Sequence, residues 1–218
     1  MNIIIFGDKF QKRMKSRGCV GLYKSKNNYL IVHQYLTIKK IFPNAKIIYI
    51  YGFEHKRLMS VIDQHMELKN NITFIYNEKY HNTNYGTSLK LAKDYLDNDT
   101  ILTFGDISLD EKLLLSFKLN KDISKLIVTN NKTNKLGCII GDSRIQNIFY
   151  DLDNTIEEIY YISQKDIKTM LDIVSNHTPS IKNMFVFEII NLMIDRNINF
   201  KPVTYSYRNK KIRTNHAT

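Results

Sequence analysis

Residues 71–110, NITFIYNEKYHNTNYGTSLKLAKDYLDNDTILTFGDISLD, decide the fold. Two apolar, β-rich runs, residues 72–76 and 101–104, bracket a segment with Leu89, Ala92, Tyr95 and Leu96 at helical spacing. The first run opens into a polar loop, residues 77–86, crowded with Asn and Tyr, and the second ends in Gly105-Asp106. The unit reads strand–loop–helix–strand. In open α/β sheets ligands collect beyond the carboxyl ends of the strands. Asp106 stands at such an end, behind a glycine that permits a sharp turn and a close approach of a ligand.

On the N-terminal side, residues 2–6 (NIIIF) form an apolar run too short for a helix and read as a buried strand. Ile31, Tyr35, Ile38 and Ile41 mark a helix that Pro43-Asn44 ends, since proline cannot continue the hydrogen-bond ladder. Residues 46–51 (KIIYIY) are a second strand, leading through Gly52 into a helix near residues 54–66. Strand–helix alternation repeated three times predicts a parallel sheet with helices on its faces. On the C-terminal side a helix is expected over 110–119, then strands 125–129 and 136–140 joined by a polar turn. Residues 144–150 and 158–162 are further strand-like runs. Amphipathic helices follow over 166–175 and 183–196, the second with core stripes of Phe187, Ile190 and Ile194 and of Met184 and Leu192. A last strand, 200–203, precedes a basic tail. The expected class is α/β: one three-layer, Rossmann-like domain with a mainly parallel central sheet and a small additional β region.

The 218 residues suit one domain, and a hydrophobic fraction of 43% supplies a real core. Eight Gly and three Pro argue against a linker-rich chain. No apolar run approaches the ~20 residues of a membrane span, and the first residues read as a strand rather than a secretory signal. Two cysteines, Cys19 and Cys138, are expected as reduced thiols in a cytoplasmic protein. The net charge of +11 is concentrated at the two ends. Residues 1–70 carry thirteen Lys/Arg against four Asp/Glu, and residues 201–218 carry five basic residues and no acidic one. That asymmetry points to an anionic partner, phosphates or nucleic acid. A Lys-, Asn- and Ile-rich composition accounts for part of it.

The pattern strand, N-E-K-Y, T-N, S-L, helix, hydrophobic strand, G-D resembles the nucleotidyltransferases of the GT-A-like superfamily. The likeness is greatest to the phosphocholine cytidylyltransferase and sugar-phosphate nucleotidyltransferase type. The resemblance implies a nucleotide-binding half over 1–110 and an acceptor half with the basic tail over 111–218. It implies that Asp106 binds the catalytic Mg²⁺, and that Asn82, Thr83, Asn84 and Ser88 lie beside nucleotide and acceptor. Such enzymes carry G-x-G-x-R after the first strand and P-K further on. Here Gly7 remains, Arg13 matches the arginine, no Pro-Lys follows, and Lys24 is the nearest substitute for the lysine. Five of the ten residues 8–17 are basic, which suits a triphosphate, with Lys9, Arg13, Lys15 and Arg17 as candidate ligands. His33-Gln34 matches the family's H-Q, read here as helix packing. The second metal ligand, expected before a Thr near the C-terminus, falls to Asn215, because Arg213 occupies the matching place.

Asp106 has two roles open to it, ligand to a hard cation or N-cap of the following helix, while Asp110 reads as a first-turn acid ahead of an aid to the metal. The histidines and cysteines show no metal-ligand spacing, and no G-x-S-x-G elbow, P-loop or Rossmann fingerprint is present. Three functions are therefore carried forward. The first is a Mg²⁺-dependent enzyme joining an NTP, CTP slightly favoured, to a small phosphate monoester such as a phosphocholine-like or sugar phosphate. The second is a glycosyltransferase of the same kind of fold, against which Gly105-Asp106-Ile107-Ser108 lacks a D-x-D motif. The third is a degenerate domain binding nucleic acid or a protein through its basic ends.

Overall fold

Strand β1 (Asn2–Gly7) is buried at every residue and lies inside the parallel half of the sheet. Its neighbours are β4 (Lys46–Tyr51) and β6 (Thr100–Phe104), and β4 pairs outward with β5 (Ile72–Tyr76), all in parallel. Double-sided burial explains why β1 and β6 are dominated by apolar residues without polar alternation, every residue of both being buried. The computed structural model describes residues 1–9, 18–25, 28–129, 136–176 and 180–205. Arg13, Lys15, Arg17 and Asn215, with the tail beyond residue 205, fall outside them.

Side-chain alternation assigns the two faces. Phe6 and Phe104 meet the ring of Tyr85, the first residue of α4 (Tyr85–Leu91). Tyr49 points the other way, toward Gly7, Gly105 and Gly21, the last of which abuts Ile31 of α1 (Leu30–Ile41). A separate ribbon pairs β2 (Lys24–Ser25) with β3 (Asn28–Tyr29) ahead of α1. The single helix expected near 54–66 is instead α2 (His55–Asp63) and α3 (Met66–Asn71). His65 leaves helical geometry between them, and the turn brings Leu68 into the core beside Leu58 and Ile62. Likewise α4 stops at Leu91, and a 3-10 turn, Lys93–Tyr95, carries the chain past buried Ala92 to buried Leu96.

The second half corrects the expectation of a mainly parallel sheet with a small separate β region. After α5 (Glu111–Ser116) come β7 (Ser124–Thr129), β8 (Leu136–Gly141), β9 (Arg144–Tyr150) and β10 (Asn154–Ile162). Helices α6 (Gln164–Asn176) and α7 (Val186–Asp195) then lead to β11 (Phe200–Thr204). All but the ribbon strands join one mixed nine-stranded sheet in the order β5-β4-β1-β6-β10-β7-β11-β9-β8. Strand β10 inserts antiparallel between β6 and β7 and also pairs with β8. The physical reason is connection length: β8 and β9 join through a short turn, which suffices for an antiparallel pair but not for a crossover, and β10 adds antiparallel to β6, β7 and β8. Parallel pairing returns only between β7 and β11, and α6 and α7 connect β10 to β11 on the other side of β7. No described helix is long and apolar enough to cross a membrane.

Candidate active site

The carboxyl ends of β1, β5 and β6 release Asp8, Asn77 and Gly105-Asp106 on one edge of the sheet. Beneath this edge lies a buried polar network. Asp8 is fully buried, and its Oδ2 accepts from Ser88 Oγ at 2.7 Å and from Asn77 Nδ2 at 2.8 Å. Lys9 Nζ lies 3.2 Å from the same oxygen. The Lys9 ammonium also donates to the carbonyls of Tyr80 (3.0 Å) and Thr83 (2.7 Å). Desolvation pulls the Lys9 pKa below its ordinary value, and the Asp8 carboxylate offsets part of that. The network ties Asp8 and Lys9, the first residues of the basic stretch 8–17, to the 77–84 loop. Asp8 and Asn77 are the members that sequence reading missed; both look like ordinary loop polars.

The turn carrying Asp106 is closed by Ile107 N–H donating to Phe104 O at 3.1 Å. Gln34, fully buried on α1, donates its Nε2 hydrogens to Phe104 O (2.9 Å) and Ile107 O (2.7 Å), bracketing the turn from below. Asp106 itself is 6% exposed. Capping of α5 belongs to Asp110, whose Oδ1 accepts from the amides of Lys112 (2.8 Å) and Leu113 (3.3 Å). The alternative role of Asp106 as a helix cap is thereby removed.

Packing against Tyr49 constrains Gly7 and Gly105 to remain glycine. A Cβ on Gly7 would lie 2.2 Å from Tyr49 Oη, and one on Gly105 2.9 Å from the same oxygen and 2.7 Å from Val20 Cγ2. Tyr49 is fully buried, and burial, reinforced by Cys19, Asp8 and Asp106 nearby, raises its pKa well above the usual tyrosine value.

Above the network opens a cleft of about 410 Å³. Its wall includes Lys9, Tyr80, Asn82, Asn84, Asn183 and Phe185. Of the predicted site residues, Lys9, Asn82, Thr83 and Asn84 come together here. Asn84 also caps α4, its Oδ1 accepting from Tyr85 N at 3.0 Å, and its Nδ2 donates to Asn183 O at 3.1 Å. Ser88 sits beneath the cleft, fully buried on Asp8. Lys24 is exposed on the β2–β3 ribbon and is not among the cleft residues.

Asp106 and Asp8 offer carboxylate oxygens, the donor type that Mg²⁺ prefers. Among the described residues no cluster of three His, Cys, Asp or Glu side chains could hold a metal. Asp106 is a buried carboxylate at the strand end, and Asp8 Oδ1 is buried with no hydrogen-bond partner among the described residues. One or two carboxylates, with the remaining positions left to phosphate oxygens and water, is how Mg²⁺ is usually held.

No protein-family model matches the sequence, and no curated protein matches it. Solved structures do. The chain aligns over 99% of its length, and 91% of the other chain, with a protein assigned as a glucose-1-phosphate thymidylyltransferase from Bacillus anthracis (TM-score 0.77, 16% identity). It aligns over 97%, and 92% of the other chain, with the CTP:phosphocholine cytidylyltransferase of Streptococcus pneumoniae (TM-score 0.77, 16% identity). Over 96% of this chain and 86% of the other, it aligns with the inositol-1-phosphate CTP transferase of T. maritima (TM-score 0.72, 14% identity). The chain therefore has the fold of these nucleotidyltransferases.

Proposed function

We propose that the protein is a nucleotidyltransferase that joins an NTP to a small phosphorylated acceptor and releases pyrophosphate. The observation that carries the reading is the Phe104–Ile107 turn, which holds a buried carboxylate, Asp106, at the carboxyl edge of the four parallel strands. Ligands of open α/β sheets bind at that edge. The names of the structurally similar enzymes support transfer of a nucleotidyl group over transfer of a sugar, as does the absence of a second acid after Asp106.

In this reading a phosphate oxygen of the acceptor attacks the α-phosphorus in line. The new P–O bond forms as the bond to the β-phosphate oxygen breaks, and pyrophosphate leaves with that electron pair. No covalent protein nucleophile is required, so the chain's contribution is positioning and charge neutralisation. Bound Mg²⁺ supplies charge neutralisation of the phosphates, with Asp106 as its protein ligand and Asp8 and Asn215 as candidates for a second. Lys9 fixes the 77–84 loop against Asp8. Arg13, Lys15 and Lys24 are the cations assigned to the triphosphate, and the Asn-rich cleft is assigned to nucleotide or acceptor. CTP is the favoured nucleotide, and a phosphocholine-like or sugar phosphate the favoured acceptor.

The test is pyrophosphate release from each of the four NTPs with Mg²⁺ and a panel of phosphate monoesters. Release that depends on one NTP and one acceptor together supports the reading. No release under any pairing overturns it in favour of a binding domain.

A further inference from the structure

A polar residue stands inside the apolar stripe of α1, between Ile31 and Ile38, and is completely buried there. Gln34 does not pack as an isolated amide. Both hydrogens of its Nε2 are used on the two carbonyls that delimit the Gly105-Asp106 turn, at 2.9 and 2.7 Å. Phe104 O thereby accepts two hydrogen bonds, one from Gln34 and one from Ile107 N–H. The turn cannot slide along β6 or open outward without stranding a buried carbonyl, which costs far more than an exposed bond would.

We propose that Gln34 is the positioning residue for Asp106. It touches neither substrate nor metal; it holds the turn that sets Asp106 at the carboxyl edge of the parallel strands. The inference rests on the nucleotidyl-transfer reading of Asp106, and it deepens that reading by naming what sets the carboxylate's place. Tyr49 backs the same turn from beside Gly105, so the turn is fixed by a hydrogen-bond bracket and a steric stop. Sites built this way lose rate steeply when the support is removed, because a displacement of ~1 Å costs about 10²-fold.

The experiment compares wild type, Gln34→Met, Asp106→Asn and a control, Ile38→Val, which trims the same buried helix face one turn further along and leaves the Gln34 hydrogen bonds in place. Two quantities are read on each. One is Mn²⁺ binding, followed by electron paramagnetic resonance with the metal alone, and the other is pyrophosphate release with kcat and the KM for NTP. Gln34→Met is expected to weaken the Asp106-dependent part of Mn²⁺ binding about 5-fold or more. It should lower kcat about 10- to 100-fold with the NTP KM within about two-fold, while Ile38→Val does neither. Combined with Asp106→Asn, Gln34→Met should add no further loss, as expected of residues acting through one group.

Wild-type Mn²⁺ affinity and kcat in Gln34→Met would overturn the proposal, and so would equal losses in Ile38→Val. Should Gln34→Met not fold, Gln34→Asn carries the same test, because its carboxamide is one methylene too short to reach both carbonyls. Absence of pyrophosphate release in wild type sinks the nucleotidyl-transfer reading alone, and the Mn²⁺ titration then decides the role of Gln34. Absence of Asp106-dependent Mn²⁺ binding in wild type sinks both.

Discussion

Ser88 donates its hydroxyl hydrogen to Asp8 Oδ2 at 2.7 Å, and neither residue is exposed to solvent. The bond joins α4 to the end of β1 across 80 residues of sequence and fixes the residue at which the basic stretch 8–17 begins. Burial makes it consequential, because a carboxylate held away from water needs every donor it has.

Removing that donor should therefore register in stability. Ser88→Ala is expected to cost about 1–3 kcal/mol, read as a lower midpoint in urea unfolding with an unchanged slope. A loss below about 0.5 kcal/mol would mean that Asn77 and Lys9 satisfy Asp8 unaided.

Gly86 supplies a second stability test. Asn84 N–H donates to Lys182 O at 2.8 Å and Gly86 N–H to Met184 O at 2.9 Å, drawing the start of α4 against the 3-10 turn Ser180–Asn183. A Cβ at Gly86 would lie 2.0 Å from Ile181 O, a backbone atom with no room to yield. Gly86→Ala should lower stability by about 1–3 kcal/mol. Under the proposed function it should also raise KM for nucleotide or acceptor, because Asn183 and Phe185 form one wall of the cleft. Unchanged stability in thermal melts would show that the two segments separate freely.

Much of the fold is legible in the sequence because burial leaves a local trace. The runs at 2–6, 46–51, 72–76 and 101–104 become β1, β4, β5 and β6, and the run at 144–150 becomes β9 without a change of boundary. Strand order leaves no such trace. The insertion of β10 between β6 and β7 is a choice among partners of similar apolarity, made by tertiary packing. The site divides in the same way. The place of Asp106 after a strand is legible, and Gln34 carries a readable signal, a carboxamide in a core stripe. Asp8 and Asn77 carry none, because their meaning depends on a serine arriving from α4. The exchange of roles between Asp106 and Asp110 is also invisible locally, since either aspartate could cap a helix beginning nearby.

The cysteines give a pH prediction. Cys19 and Cys138 are buried, and burial pushes each thiol up to about 11. A folded-state pKa raised above the unfolded value contributes stability below that value, lost as pH rises through the folded one. Stability should accordingly decline between pH 9 and about 11, visible as a falling Tm. At pH 8 a thiol-specific reagent should titrate neither cysteine in the native protein and both after unfolding. Rapid native labelling at pH 8 would contradict the burial of either.

Charge at the chain ends leads to a salt prediction. Residues 8–17 include five basic residues and residues 201–218 another five without an acid. If they meet phosphates, NTP affinity should weaken steadily as ionic strength rises from about 0.05 to 0.5 M. A binding isotherm that does not move over this range would remove those residues from the nucleotide's surroundings.

The sharpest test separates two aspartates four residues apart. Asp110 accepts two amide hydrogens at the start of α5 and the Tyr205 hydroxyl at 2.8 Å, a full set of structural partners. Asp106 sits on the turn that Gln34 brackets, and the cap of α5 is already taken. Asp110→Asn should be mild, a few tenths of a kcal/mol in stability with turnover near wild type, because Asn caps about as well as Asp. Asp106→Asn should leave the melting temperature within a few degrees, since the change is nearly isosteric. It should nonetheless lower turnover by about 10²- to 10³-fold, the scale of losing one group that stabilises charge developing in the transition state. Measuring kcat and Tm for both variants at saturating Mg²⁺ decides between the roles. Equal turnover in the two would strip Asp106 of its part in the chemistry, while loss of turnover in Asp110→Asn at unchanged Tm would transfer that part to Asp110.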